Sequence, residues 1–421
     1  MAKRYSQSTI TNIGIYGIAQ AVSALAALIR IPVVIEFIGV ENFGRLVSVV
    51  SVFSIPMMVQ GALRLHFRKK FSIIKDLGIF PYLKLVQVCA KFSANKFKLL
   101  FIGSFVTSLL IVSKNFPNSF QLLILAVTIL LTIFISIVPT GIYQGYLDHK
   151  GKQNYVIIID LFSSIISIPA VFIASYSNSK LFVFLLILSS NFLTPILCYI
   201  ILGIKLVKTN EILSKEILLS NVEYGVYMKQ TLGSSLTLNF NSMIFSLTTS
   251  PEFVAKINIS EKLLSAIFIP TAALAPNQSV LIAKIDQGDF PQKNHYMRRI
   301  LLLNLFLTAL FTIPIFTIAS LVIPFLSGRN NFLDFYLLAS IAMSYLAFTS
   351  FSNLLLINFF KTDVKTGIPN LSIVLGFTAI IICLASSSWA MQYTYLLSIF
   401  IPYTGGCYYA YFQLFKNRIP K

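Results

Sequence analysis

The sequence predicts an all-α integral membrane protein with about 12 transmembrane helices, each of about 20 apolar residues. Composition is the first observation behind this fold class. Of the 421 residues, 56% are hydrophobic and 11% are charged, whereas about 25% are charged in a typical soluble domain. The second observation is a set of long uncharged runs, such as 115–147 and 300–328. These runs are continuously apolar and do not alternate, which favours helices over a β-barrel.

The predicted spans follow one another with short loops along the whole chain. They lie near 10–38, 44–65, 85–113, 119–145, 154–176, 181–204, 228–250, 254–284, 298–326, 333–360, 366–387 and 393–415. Lys3 and Arg4 precede a long first span that extends past Arg30. We therefore expect the first span to be retained as a membrane anchor and not removed as a signal peptide.

The distribution of Lys and Arg predicts the orientation of the chain. With both termini on one side, that side holds 26 of the 33 basic residues and the other side holds 7. Basic loops stay in the cytoplasm, so we expect a multi-pass protein of the bacterial inner membrane with both termini cytoplasmic. The net charge of +19 follows mostly from this topology and requires no nucleic-acid partner. The four cysteines have no metal-like spacing, and we expect no cofactor.

Two segments with similar sequences indicate an internal repeat. Glu41–Arg45 opens the second predicted span, and Glu252–Lys256 opens the eighth. Each half then has six spans, and an even number of spans gives both halves the same orientation. The sequence therefore predicts two parallel six-helix bundles, related by a pseudo-twofold axis along the membrane normal and separated by a cavity. The predicted units are bundle 1–208, cytoplasmic linker 209–229 and bundle 230–421.

Basic residues within or beside the spans are the first candidates for a substrate site. A charge at mid-helix costs roughly 2.5–3.5 kcal/mol by insertion scales, so it usually has a function or a partner. Arg30 lies in the first span and Lys262 in the eighth, with Arg45 and Lys256 nearer the outer ends. Such cations can bind phosphate. Alternatively, Arg30 extends to the outer interface, and Lys262 forms a buried pair with Glu261.

A second basic region is predicted on the cytoplasmic side. Lys84, Lys91 and Lys98 recur every seven residues, which places them on one face of a continuous third helix. Arg64, at the end of the second span, is close to them in sequence. These residues could form a vestibule that collects an anionic head group. The other interpretation is a solvated extension of the third helix that follows the positive-inside rule.

Acidic residues in the spans are the candidates for coupling to an H⁺ or Na⁺ gradient. They are Asp160 in the fifth span, Glu36 in the first and Glu261 in the eighth. Asp160 could equally be a structural acid near the cytoplasmic end. Because intramembrane basic residues match or outnumber these acids, the sequence favours an anionic substrate.

Two segments resemble the multidrug/oligosaccharidyl-lipid/polysaccharide exporter superfamily, and within it the Wzx-type O-antigen or polysaccharide flippases. In Arg30–Gly44, a basic residue and an apolar stretch precede a Gly-x-Glu-x-aromatic-Gly turn. Glu261–Leu264 is similar to the family's basic-Leu-Leu segment and is followed by Pro270 and a Gly-Asp turn within Asp286–Asp289. The resemblance covers the whole chain.

The resemblance implies a V-shaped pair of bundles that works by alternating access and moves undecaprenyl-diphosphate-linked repeat units to the periplasmic leaflet. By position, Arg30 and Lys262 match basic residues that the family places in its central cavity, and Arg64 falls near a comparable position. The implied partners are the lipid-linked oligosaccharide, membrane lipid and a polysaccharide polymerase. Lipid II flippases of the superfamily usually have fourteen spans, which disfavours that substrate for a chain with twelve predicted spans.

Two other classes of function remain as alternatives. A multidrug antiporter driven by cations or protons would need membrane acids, for which Asp160 and Glu36 are the candidates. A membrane enzyme such as a polysaccharide polymerase usually needs a large periplasmic loop, whereas the predicted outer loops have only several residues. The sequence therefore predicts a secondary transporter that is neither an enzyme nor an ATPase.

Overall fold

A computed structural model shows a protein that is helical, apart from short turns, throughout the residues it describes, and no strand occurs among them. The described residues are 2–73, 82–87, 89, 97–117, 119–149, 153–176, 180–206, 229, 232–233, 236–237, 243–269, 271, 274–275, 278, 281–282, 285, 293–327, 334–361, 365–387 and 390–415.

The first set of helices packs as one bundle. It consists of α1 (Ala2–Val52), α2 (Ser54–Ile73), α3 (Lys98–Asn115), α4 (Phe120–His149), α5 (Gln153–Tyr176) and α6 (Lys180–Leu206). Helix α2 lies along α4, α1 lies along α5, and α6 packs against both α4 and α5. Helix α3 packs against α4. These contacts leave one side of α1 available for the second set.

The second set packs around α9. It consists of α7 (Pro251–Leu264), α8 (Lys293–Ser327), α9 (Phe335–Phe360), α10 (Gly367–Ser386) and α11 (Ile401–Phe415). Helix α9 contacts α7, α8 and α11, and α10 packs against α11. The two sets meet mainly where α1 lies against α7. The bundle limits at 208 and 230 stay predictions, and the predicted linker 209–229 lies outside the described residues except for Lys229.

A single glycine separates the first two predicted spans. Gly39 has φ 79° and ψ 158°, a backbone conformation essentially restricted to glycine because a Cβ would clash. The Asn42 side-chain amide donates a 2.7 Å hydrogen bond to the Ile38 carbonyl, one of the carbonyls that a helix end leaves without a helical partner. Beyond this turn, the helix bends by 43° at Phe53 between 29–52 and 54–68.

The prediction of a continuous third span over 85–113 was wrong. Helix α3 begins at Lys98, and Phe97 is non-helical with φ −111° and ψ 13°. The Phe97 side chain is buried, and its carbonyl accepts a 2.9 Å bond from the Phe101 amide, which starts the new helix. Lys84 and Lys98 therefore lie on separate helical segments, and the prediction that they share one helix face was also wrong.

The eighth and twelfth predicted spans also change geometry along their length. After α7, Ser265–Phe268 form a 3₁₀ turn, and the Ser265 hydroxyl donates 2.7 Å to the Lys262 carbonyl. Before α11, Leu396–Phe400 form a π-helical turn. The Ser344 hydroxyl of α9 donates 2.7 Å to the Tyr395 carbonyl. Irregular backbone is tolerated at membrane depth when such side chains satisfy its carbonyls.

The described helices have the length and surface of membrane spans. Six are long and apolar enough to cross a bilayer, or seven if the pair bent at Phe53 counts as one span. The six are Lys98–Asn115, Phe120–His149, Phe182–Ile201, Lys293–Pro324, Phe335–Phe360 and Gly367–Ser386. Large apolar side chains of α8 point away from the protein, with Ile313 and Leu321 each 73% exposed. Lipid is the environment that covers such surfaces, so the chain is a multi-pass membrane protein.

Candidate substrate cavity

A cavity of about 520 Å³ lies between the two sets of helices, where α1 and α6 face α7 and α9. Polar and aromatic side chains form much of its wall. They are Arg30, Phe43, Ser51, Ser54, Asn191, Phe192, Asn258, Glu261, Lys262, Ser265, Phe268 and Tyr345. The structure therefore brings together Arg30 and Lys262, the two candidates that lie 232 positions apart in the sequence.

Arg30 is held inside the first bundle. Its Nη1 atom donates to Ser167 Oγ of α5 at 3.2 Å and to Asn191 Oδ1 of α6 at 2.9 Å. Arg30 forms no ion pair with any residue that the structure describes. The guanidinium is thus fixed by neutral acceptors, and its positive charge is not neutralised by a carboxylate.

Lys262 projects from α7 on the opposite wall and is exposed to the cavity. Among the described residues, its ammonium has neither a hydrogen-bond partner nor an ion pair. It is repelled by the charge of Arg30 and attracted by that of Glu261. The Glu261 carboxylate itself accepts a 2.5 Å hydrogen bond from the Tyr395 hydroxyl. The alternative of a close Glu261–Lys262 ion pair is therefore not what the structure shows.

The charge balance of this cavity favours an anion. Arg30 and Lys262 contribute two positive charges, and Glu261 is the one carboxylate among the lining residues that the structure describes. In a low-dielectric setting, two like charges that share a cavity are costly unless an opposite charge joins them. An anionic ligand supplies that charge, and phosphate oxygens are the acceptors that Arg and Lys bind best.

The rest of the wall has groups suited to a sugar. Phe268 and Tyr345 pack together with ring centroids 4.8 Å apart, and Phe192 packs on Phe53 at 4.6 Å. Asn258 adds an amide one turn before Glu261 on α7. Aromatic faces and amides can together contact the apolar and hydroxyl groups of a sugar ring.

The structure places Arg64 outside the cavity lining. Its Nε and Nη2 atoms bind the two carboxylate oxygens of Asp148 at 2.8 and 2.9 Å. The Asp148 side chain is 2% exposed, so this forked ion pair is largely buried between α2 and α4. Asp160 of α5 interacts electrostatically with Arg64 and does not line the cavity either. Arg64 therefore connects two helices of the first bundle.

Arg45 and Lys256 occupy related positions near the contact of α1 with α7, but neither lines the cavity. Arg45 pairs with Glu41 one turn away at 2.5 Å and donates to the Asn115 carbonyl at 3.2 Å. Lys256 is half-buried on α7. Arg45 and Lys256 belong to α1 and α7, the two helices through which the sets mainly meet.

The remaining predicted site residues are also separate from the cavity. Glu36 is exposed on α1, and Lys98 is exposed at the start of α3; neither belongs to the lining. Lys91 lies outside the described residues. Of the predicted basic vestibule, the structure describes Lys84, Lys98 and Arg64. Lys84 and Lys98 are exposed on separate helical segments, and Arg64 forms its ion pair between α2 and α4.

Sequence reasoning missed three side chains that organise the cavity. Asn191 and Ser167 hold Arg30, and Tyr395 binds Glu261. Asn191 could have been noticed as an amide within the apolar helix α6, since such residues bond across helices in membranes. The pairings of Ser167 and Tyr395 have no comparable signal in the sequence.

Contacts between the bundles lie on both sides of the cavity. At the predicted outer side, Lys114 Nζ donates to the carbonyls of Ser246 and Leu247 at 3.0 and 2.7 Å. These carbonyls belong to the last turn of the helical segment 243–248, which precedes α7. At the predicted cytoplasmic side, the Arg68 guanidinium lies 5.6 Å from the ring centroid of Phe360.

Solved membrane-protein structures resemble this arrangement over nearly the whole chain. One is the lipid II flippase MurJ in an inward closed conformation, with TM-score 0.63 and 16% identity over 95% of this chain and 87% of that one. Another is MATE in complex with MaL6, with TM-score 0.58 and 10% identity over 97% and 96%. A third is an inward-facing multidrug resistance MATE family transporter of the MOP superfamily, with TM-score 0.57 and 11% identity over 94% and 96%.

No protein-family model matches the chain, and no curated protein sequence matches it. At 10–16% identity, the structural likeness establishes the fold. The prediction of an all-α membrane protein of about twelve helices is thereby confirmed.

Proposed function

We propose that the protein is a flippase that moves an undecaprenyl-diphosphate-linked oligosaccharide, such as an O-antigen-like repeat unit, from the cytoplasmic to the periplasmic leaflet. One observation carries this proposal: Arg30 and Lys262 face one cavity between the two helix sets, and among the described residues neither forms an ion pair. A diphosphate supplies the missing negative charge. Arg30 offers forked donors to its oxygens, and Lys262 offers a compact charge.

The remaining parts of such a substrate have places in the same arrangement. Sugars would contact the aromatic and amide wall formed by Tyr345, Phe268 and Asn258. The prenyl tail would stay in lipid beside the exposed helix surfaces. The resemblance to Wzx-type flippases supports this assignment, as does the likeness of the fold to a protein described as a lipid II flippase.

Alternating access is the mechanism that we propose for this transport. The bundles touch at Lys114 on one side of the cavity and at Arg68 and Phe360 on the other. Opening either set of contacts would expose the cavity to one side only. We place the chain in the bacterial inner membrane with both termini cytoplasmic, as a secondary transporter coupled to H⁺ or Na⁺ and not to ATP. A polysaccharide polymerase would use the flipped product.

A reconstituted flipping assay tests the proposal. Purified protein in liposomes should move fluorescent undecaprenyl-diphosphate-linked oligosaccharide between leaflets, as measured by quenching with an impermeant reagent. Arg30→Ala and Lys262→Ala should each lower the rate at least about tenfold, since one charge-assisted hydrogen bond contributes roughly 1.5–3 kcal/mol. Arg299→Ala is the matched control, because Arg299 is exposed on α8 and does not line the cavity.

The double variant gives the decisive result. Wild-type rates in Arg30→Ala/Lys262→Ala would contradict the proposal, since no lining cation in the described part of the chain would then remain. Failure to fold is checked by gel filtration and thermal unfolding. Arg30→Lys and Lys262→Arg, which keep both charges, should retain more activity than the alanine variants.

A multidrug antiporter is the second candidate, because Glu261 and an aromatic wall also suit an organic cation. The likeness of the fold to MATE proteins supports it. The same liposomes distinguish the candidates. Ethidium transport driven by a cation gradient, without movement of the lipid-linked oligosaccharide, would favour the antiporter.

A further inference from the structure

The neutral partners of Arg30 have a consequence for the specificity of the cavity. Asn191 lies within α6 and Ser167 within α5, each in a largely apolar helix. Membrane proteins usually neutralise an intramembrane arginine with a carboxylate or expose it to water. Here both bonds from Nη1 go to uncharged oxygens, at 2.9 Å for Asn191 and 3.2 Å for Ser167. The positive charge is thus fixed in place but retained.

The donors of Arg30 divide into two groups. Arginine has five N–H donors and no acceptor, so Asn191 must present its amide oxygen to Nη1. The two Nη1 hydrogens account for the two bonds to Ser167 and Asn191. The three donors on Nε and Nη2 make no hydrogen bond to the residues that the structure describes. They remain for a ligand in the cavity that Arg30 and Asn191 both line.

We propose that Asn191, assisted by Ser167, is a positioning residue that orients the Arg30 guanidinium. Because Asn191 is an uncharged amide and not a carboxylate, it also makes the cavity selective for an anionic head group. This inference rests on the proposed function and extends it to specificity. Asn191 orients Arg30 by fixing Nη1, and because the Asn191 amide carries no charge, the ligand is the group that neutralises Arg30.

Asparagine and aspartate have nearly the same shape, which provides a sharp test. Asn191→Asp would place a carboxylate oxygen about where Oδ1 now lies, in reach of Nη1, and would neutralise Arg30 internally. Asn191→Ala would instead release the guanidinium without changing the charge. If the Asn191 bond is only structural, Asn191→Asp should leave ligand binding intact, because aspartate also accepts a bond from Nη1. If the bond serves to keep Arg30 charged, Asn191→Asp should weaken the binding of an anionic ligand.

The experiment measures the affinity of detergent-solubilised full-length protein for farnesyl diphosphate, with farnesol as the uncharged control. Asn191→Asp should weaken farnesyl diphosphate binding by roughly tenfold or more, which corresponds to about 1.4 kcal/mol. Farnesol binding should not change. In an Arg30→Met background, Asn191→Asp should cause a much smaller further loss, because no guanidinium remains for it to neutralise.

Thermal unfolding provides a readout that needs no ligand. It compares the wild type, Asn191→Asp, Arg30→Met and the double variant Arg30→Met/Asn191→Asp. Asn191→Asp should raise the Tm in the Arg30 background and lower it in the Arg30→Met background, where the new carboxylate has no partner. Wild-type affinity of Asn191→Asp for farnesyl diphosphate would overturn the inference alone. Absence of farnesyl diphosphate binding by the wild-type protein would instead contradict the proposed function.

Discussion

Gly44 lies directly against the backbone of Pro251, so closely that a Cβ atom added to Gly44 would come within 1.7 Å of the Pro251 carbonyl oxygen. Gly44 belongs to α1 and Pro251 opens α7, where Ser250 caps the helix by accepting a bond from the Phe253 amide. The first of the two segments that the sequence paired as repeats therefore contacts the residue directly before the second segment. This contact brings α7, and with it Lys262, against α1.

We expect Gly44→Ala to disturb this contact, because the added methyl group meets backbone atoms that cannot move aside as a side chain can. Overpacking of this kind typically costs about 1–3 kcal/mol. The Tm of the purified protein should fall and the flipping rate should fall with it. Gly103→Ala in α3 is the control, since a Cβ there meets nothing within 4 Å. Equal Tm values for both variants would contradict the close approach.

Lys114 provides a second contact between the bundles, with bonds to the Ser246 and Leu247 carbonyls at a helix C-terminus. Such carbonyls carry partial negative charge, which favours a cation. Lys114→Met removes the charge and the donors, so we expect the predicted outer side of the cavity to open more often. Lys114→Arg, which keeps the donors, should behave nearly as the wild type.

The measurement for Lys114 uses a cysteine at a cavity position. Ser54→Cys is introduced into protein whose four native cysteines are replaced, and an impermeant maleimide is added outside spheroplasts. Labelling should be several-fold faster in Lys114→Met, since about 1 kcal/mol changes an equilibrium roughly fivefold. Unchanged labelling would show that Lys114 does not hold the outer side closed.

The features of the fold that depend on local composition could be predicted from the sequence. Long apolar runs require helices in lipid, and Gly39 fell in the predicted turn because its backbone conformation is open to glycine alone. Arg30 and Lys262 stood out because charges are rare in such runs. The resemblance implied that both lie in a central cavity, and the structure places both in the lining of one cavity.

The helix breaks and polar pairings could not be predicted, because they depend on packing between distant segments. A lysine flanks Phe97 on each side, but charged residues also suit a solvated extension of a continuous helix, so they do not reveal the break. The carbonyl of Tyr395 is satisfied by Ser344, 51 positions away. The partner of Arg64, Asp148, is 84 positions distant and joins it only when α2 packs on α4, so this ion pair has no signal in the sequence.

The Arg64–Asp148 pair predicts a structural phenotype. Removing one partner of a buried ion pair leaves an uncompensated charge and costs about 3–5 kcal/mol. Asp148→Asn and Arg64→Gln should therefore lower the yield and the Tm of folded protein, and the exchange Arg64→Asp/Asp148→Arg should recover part of the Tm. Glu41→Gln, which breaks the more exposed pair with Arg45, should cost less than about 1 kcal/mol. If Arg64→Gln instead keeps normal stability but loses substrate binding, Arg64 belongs to the substrate site.

We expect substitutions of Glu261 and of Asp160 to have opposite effects on coupling to an ion gradient. Glu261 shares the cavity with Lys262 and binds the Tyr395 hydroxyl, so its charge acts directly on the site of an anionic ligand. Asp160 lies outside the lining and interacts with Arg64. We therefore expect Glu261→Gln to abolish the stimulation of flipping by an imposed H⁺ or Na⁺ gradient, and Asp160→Asn to preserve it.

Proteoliposomes with and without each gradient provide this measurement, and the ratio of the two rates corrects for differences in folding between variants. The ratio should fall to about one in Glu261→Gln, because a neutral amide cannot exchange a cation. Tyr395→Phe, which removes the hydrogen bond but keeps the carboxylate, should alter the ratio less. If the ratio falls to about one in Asp160→Asn and stays at the wild-type value in Glu261→Gln, the expectation is wrong. Asp160, in the first bundle, would then be the acid that exchanges the ion.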